Sequence, residues 1–174
     1  VTTLGLTSSS ASNDITVSNI PTLVDVNAKN GGGDLTVSYL ATTTAGVADV
    51  QNLNVNNYTG TVSLAGVETI NIDSSGVKST LAALTATSMT TLNVTGDAKL
   101  TITGAIENGT TTLDASAHTG GGVYTLTPTA TTGVTFTGGS GNETAILGAS
   151  LSQLTPVDGG DGVDTVSISD ADTL

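Results

Sequence analysis

Apolar and polar residues alternate along this chain in short bursts. Ile15-Thr16-Val17, Leu35-Thr36-Val37, Leu53-Asn54-Val55 and Thr69-Ile70-Asn71-Ile72 set aliphatic residues at every second position. Leu92-Asn93-Val94, Leu100-Thr101-Ile102, Thr112-Leu113-Asp114, Tyr124-Thr125-Leu126, Val134-Thr135-Phe136, Ala145-Ile146-Leu147 and Val166-Ser167-Ile168 continue the series. A period of two over such short runs predicts strands with one buried face. Gly, Asn, Asp or Ser bounds each run, and these residues accept left-handed backbone or close Asx turns. Helix signals are weak. Residues 78–84 predict at most one short helical turn, and the Thr-rich stretch after them has low helix propensity.

Gly31, Gly46, Gly60, Gly76, Gly96, Gly120, Gly138 and Gly159 punctuate the runs at intervals of roughly 14 to 24 residues, a loose solenoid period. The expectation is an all-β chain, a right-handed parallel β-solenoid whose rungs bond only to their neighbours. A β-sandwich is the alternative, since it too uses short strands. Its core is hard to fill with one Phe, three Tyr and no Trp, whereas stacked rungs need only small β-branched residues. At 174 residues and 37% hydrophobic content the chain suffices for one domain, read as a single solenoid segment over 1–174. It opens on Val1 without Met and stops at Leu174 on what reads as a repeat, as expected of a segment from a longer protein.

Charge narrows the function classes. Fifteen Asp and Glu stand against three Lys and no Arg, a net charge of −12. So few cations cannot neutralise a phosphate backbone, which excludes a nucleic-acid partner and disfavours anionic lipid. No Cys is present, which removes disulfides and thiolate metal sites. No apolar run reaches the roughly 18 residues of a membrane span, so no membrane insertion is expected. No basic segment followed by an apolar stretch marks a cleavable signal.

The most specific signal is Gly159-Gly160-Asp161-Gly162-Val163-Asp164-Thr165-Val166-Ser167, which fits the nonapeptide G-G-x-G-x-D-x-U-x at every fixed position. Glycines let such a turn aim carbonyls inward, and Asp164 and Asp161 add hard carboxylate oxygens. Oxygen ligands without N or S suit Ca²⁺. A second copy, Gly138-Gly139-Ser140-Gly141-Asn142-Glu143-Thr144-Ala145-Ile146, carries Glu143 where the pattern has Asp. The candidate metal-binding residues are therefore Gly139, Gly141, Asn142, Glu143, Asp158, Gly160, Asp161, Gly162 and Asp164. Asn30-Gly31-Gly32-Gly33-Asp34 reads as a plain turn and Asp97 as an exposed turn residue, while Glu68 fits either a metal or a turn cap. His118 is the only histidine and has no second His or Cys to share a metal, so no catalytic role is assigned to it. Polysaccharide lyases and hydrolases on parallel β-helices generally need clustered acids, basic groups and aromatic platforms, whereas this chain has no Arg, three scattered Lys and four aromatics.

These nonapeptides resemble the RTX family of calcium-binding, type I-secreted bacterial proteins. Residues 64–72 and 91–102, with Phe136-Thr137-Gly138-Gly139, are similar to surface-layer proteins of the Caulobacter type, over about two thirds of the chain. The resemblance implies an RTX-like calcium-binding part over 136–168, export without an N-terminal signal, and self-association into a lattice at the cell surface. In a β-roll of this family two nonapeptides make one coil, with calcium between successive coils. The two copies here start at Gly138 and Gly159, slightly further apart than one such coil, so a small bulge is expected near Ser150–Thr155. Gly120-Gly121-Gly122 lies two nonapeptide lengths upstream of Gly138 and reads as a degenerate turn without a metal. A structural surface-layer component, not an enzyme, is the leading reading. The alternatives are a module of a large RTX adhesin, with cell-surface polysaccharide as partner, and an ice-binding solenoid. The last rests on Thr101-Ile102-Thr103, Thr125-Leu126-Thr127 and Thr135-Phe136-Thr137, each of which points two hydroxyls outward if its central residue is buried.

Overall fold

A computed structural model describes residues 2–106, 109–126, 133–147 and 156–168. The chain coils into a β-solenoid of eight stacked rungs, about seven turns. The first rung holds β1 (Thr3–Thr7) and β2 (Ile15–Ile20), the second β3 (Asp25–Gly31) and β4 (Leu35–Tyr39), the third β5 (Val50–Tyr58) and β6 (Val62–Leu64). The fourth carries β7 (Thr69–Ser74), β8 (Ser79–Leu81) and β9 (Leu84–Thr85). Then follow β10 (Thr91–Gly96) with β11 (Leu100–Ile106), and β12 (Thr112–His118) with β13 (Gly122–Leu126). The last two rungs pair β14 (Thr135–Thr137) with β15 (Glu143–Leu147), and β16 (Val157–Asp158) with β17 (Thr165–Ile168).

The first strand of every rung joins one eight-stranded parallel sheet. The opposing wall is shared: β2, β4, β6 and β9 form one sheet, and β8, β11, β13, β15 and β17 form another. The hand-over falls in the fourth rung, where both walls have a strand. That is where the sequence predicted a helical turn; residues 79–81 and 84–85 are instead strands, because Ser79, Leu81 and Leu84 find ladder partners on neighbouring rungs. Partner columns show how the rungs differ in length. Leu4, Val26, Leu53 and Ile72 stack in one column, and Ile70, Leu92, Leu113, Phe136 and Val157 in another. The step from Val26 to Leu53 is the longest and that from Leu53 to Ile72 the shortest, while later steps are nearly even. The long step takes in the loop over residues 40–49, on which Val47 stands exposed.

Alternation drives this stacking. In β7, β13 and β15 every second residue is buried, so like residues pile into columns between the walls. Val26, Leu53, Ile70, Leu92 and Leu113 are each fully buried, worth roughly 1.5–3 kcal/mol apiece relative to exposure. Aromatic filling is confined to three places. Tyr58 donates to the Gly33 carbonyl, Tyr39 donates to the buried Gln51, and Tyr124 packs against Phe136 with ring centroids 5.9 Å apart. On the outer side of the large sheet an amide ladder runs along the axis. Asn93 donates to Asn71 at 2.8 Å, Asn71 to Asn52 at 3.0 Å, and Asn52 to Asp25 at 2.9 Å.

Candidate metal centre

The two Gly-rich turns lie one above the other at the corner between the large sheet and the wall of β13, β15 and β17. Register fixes their alignment: Gly122 pairs with Glu143, and Thr144 with Thr165, so Gly122, Glu143 and Asp164 fall in one column. Gly120-Gly121-Gly122 follows the same spacing rather than the shorter one of two nonapeptides. Gly121 accordingly lies over Asn142, not over Gly139, and Gly122 over Glu143. The segment Ser150–Thr155, where a bulge was expected, lies outside the described residues.

Backbone approach explains most of the glycines. Gly160 and Gly162 have φ of 78° and 116°, a region that L side chains rarely adopt. A Cβ on Gly160 would run into the Gly139 carbonyl, one on Gly162 into the Gly141 carbonyl, and one on Gly139 into the His118 carbonyl. Successive turns therefore nest with carbonyls stacked along the axis. Asp161 N donates to Gly139 O at 2.8 Å, and Gly138 N to Asp158 O at 2.7 Å.

The acids divide into two groups. Glu143 begins β15 on the inward face and is 1% exposed; neither carboxylate oxygen has a well-formed hydrogen bond, with the Gly139 N–H and the Asp164 carboxyl close by. Asp164, half-buried, accepts the Glu143 backbone N–H on Oδ1 at 2.9 Å. Burial, reinforced by the Asp164 charge, pushes the Glu143 carboxyl up to about 6, with the nearby Gly139 backbone pulling the other way. Asp158 and Asp161 stand exposed. Asp158 Oδ1 accepts from Gly160 N at 3.0 Å, an Asx turn that shapes the loop. Asn142 Oδ1 accepts from Val163 N at 3.0 Å and so ties the two turns together. Among the described residues no three His, Cys, Asp or Glu side chains form a metal-binding group, so side chains alone do not make a cage.

Among the described residues, the buried side-chain oxygens at this corner without a well-formed hydrogen bond are the two of Glu143; Asp164 Oδ2 lies close over Gly159 and Glu143 Oε2 beside Gly138. Two adjacent carboxylates, Glu143 without a well-formed hydrogen bond and Asp164 with Oδ1 on the Glu143 N–H, could hold a hard divalent cation completed by turn carbonyls. Glu143 and Asp164 are the side chains at this corner that could hold such a cation. Bound there, it would supply positive charge to Glu143 and Asp164 and tie the last two rungs together.

Other candidates resolve simply. Asp34 accepts from Thr61 N at 2.7 Å and its own N–H donates to Asp14, so the Gly31–Asp34 turn uses its acid to join rungs. Glu68 accepts from Asp49 N at 2.9 Å, a bond between neighbouring rungs. Asp97 is exposed. The Thr triplets do not share a face, because Thr101 and Thr125 sit on β11 and β13 while Thr135 and Thr137 sit on the large sheet. Thr127 lies outside the described residues. Sequence reasoning did not find the pairing of His118 with Tyr124. His118 is fully buried, with Nε2 3.0 Å from Ala98 O and Nδ1 3.1 Å from the Tyr124 hydroxyl. No protein-family model, curated protein or solved structure matches this chain.

Proposed function

We propose that this chain is a calcium-stabilised solenoid segment of a bacterial surface layer, a structural element that associates with copies of itself outside the cell. The observation that carries the reading is Glu143, buried without a well-formed hydrogen bond and set beside Asp164 in a glycine-walled corner. A buried carboxylate without a partner is costly, and a cation that binds only the folded state repays that cost as stability. With a net charge of −12, copies of the chain repel at low ionic strength, and calcium lowers that charge. Association then follows the rise in calcium on leaving the cell. The resemblance of residues 64–72, 91–102 and 136–139 supplies the surface-layer context, and that of the nonapeptides the calcium.

The test has two readouts. Melting of the chain in millimolar calcium should exceed that in chelator by roughly 1.4 kcal/mol at tenfold saturation, with magnesium a poor substitute. Asp164→Ala should remove most of this difference and Asp34→Ala little of it. Identical melting with calcium and chelator removes calcium from the account. Electron microscopy of the longer parent protein should show ordered sheets with calcium. Dispersed particles that bind a cell-surface polysaccharide would favour the adhesin instead.

A further inference from the structure

The corner that holds Glu143 and Asp164 is filled differently one rung earlier. Down the axis, His118, Gly139 and Gly160 succeed one another, as do Gly122, Glu143 and Asp164, and Tyr124, Ala145 and Val166. Where the seventh rung has glycine, glutamate and alanine, the sixth has histidine, glycine and tyrosine. In the sixth rung the imidazole and the phenol thus fill the corner that the buried Glu143 side chain fills in the seventh. Their polar atoms are also used up. The Ala98 carbonyl only accepts, so Nε2 of His118 carries the hydrogen, and Nδ1 is left to take the Tyr124 O–H. The Tyr124 hydroxyl lies so close over Gly122 that a Cβ there would run into it. An acid at position 122 is thereby excluded while Tyr124 remains.

We propose that His118 and Tyr124 are a built-in stop to the metal row: they plug the sixth-rung corner, so that cations seat from the seventh rung onward and none seats between the sixth and seventh. The proposal rests on the calcium reading of Glu143 and Asp164. It differs from a continuous row, in which every pair of adjacent Gly-rich turns takes an ion.

Calcium titration of the whole chain by calorimetry, with circular dichroism to confirm folding, separates the two ideas. The triple variant His118→Gly, Gly122→Glu, Tyr124→Ala transplants the seventh-rung corner into the sixth and should bind one more ion per chain than wild type. The reverse exchange, Glu143→Gly with Ala145→Tyr, keeps Gly139 because a Cβ there meets the His118 carbonyl, and should bind one fewer and melt at the same temperature with calcium or chelator. Should either transplant fail to fold, His118→Leu with Tyr124→Phe keeps the plug's volume without its hydrogen bond and must leave the wild-type stoichiometry unchanged. A wild-type chain that binds calcium, with an unaltered count in a folded triple variant or an altered count in His118→Leu/Tyr124→Phe, overturns the stop. A wild-type chain that binds no calcium overturns the metal reading itself.

Discussion

Glu143 and Asp161 show how little a residue's type says about its work. Both are acids in Gly-rich turns, yet Glu143 is buried among β-strand columns while Asp161 stands in solvent. Burial and the Asp164 charge raise the Glu143 carboxyl from 4.5 to about 6. A group whose pKa is raised on folding binds its proton more tightly in the folded state. Without calcium, its effect on stability is most favourable below about pH 4.5 and is lost as pH rises through about 6. The melting temperature in chelator should therefore fall between about pH 4.5 and pH 6, and Glu143→Gln, which has no proton to lose, should flatten that fall. Calcium competes with the same proton, so its stabilising effect in wild type should weaken below about pH 6. A fall of equal size in Glu143→Gln would place the titrating group elsewhere. Tyr124 is pushed upward by burial and by Glu143, which keeps its O–H available to His118 across this range.

At the level of elements, β3, β5, β7 and β10 each contribute inner column residues and an outer ladder residue, and the two are worth different amounts. Asn71 donates to Asn52 and accepts from Asn93, both on a partly exposed face. Its replacement by Ala removes two hydrogen bonds of roughly 0.5–1.5 kcal/mol each, the exposed setting favouring the lower end. Leu92, one rung on and fully buried between Ile70 and Leu113, leaves a cavity when cut back to Ala, costing about 2–5 kcal/mol. Urea unfolding should thus rank Leu92→Ala well below Asn71→Ala in stability. Asn71→Asp should be worse than Asn71→Ala, because a carboxylate keeps the contact with Asn93 but faces the Asn52 oxygen with no donor. The reverse order would mean that the ladder, not the core column, holds adjacent rungs.

Over the whole molecule, each rung touches only its neighbours, so stability is a sum of local terms rather than a property of one core. A ligand at one corner then protects that neighbourhood and little else. Hydrogen exchange should show calcium slowing the amides of Gly138, Glu143 and Asp161, whose N–H groups bridge the seventh and eighth rungs. Protection in β1 to β6 should barely change. Uniform slowing across all rungs would mean that the solenoid opens as one cooperative unit.

The alternation and the glycine punctuation, with the scarcity of rings, favoured a parallel solenoid over a sandwich. A strand with one buried face and no aromatic filling has few other ways to cover its apolar side than by stacking on its like. The runs Leu53–Val55, Ile70–Ile72 and Leu92–Val94 all lie in strands of the large sheet for that reason. The Gly159–Ser167 motif was equally legible as a turn, and part of its glycine content proves to be steric, since Gly160 and Gly162 admit the carbonyls of the rung before. The rest was settled only by tertiary structure. Alternation tells which face a residue takes but not which residue lies above it. Loops of unequal length make the step from Val26 to Leu53 much longer than the next one, from Leu53 to Ile72. The register of the last rungs brings Glu143 against Asp164 and sets His118 above Gly139. Register also turned residues 79–85 from an expected helical turn into two strands. Contacts between residues on successive rungs depend on the sum of every turn between them, and no local pattern carries that sum.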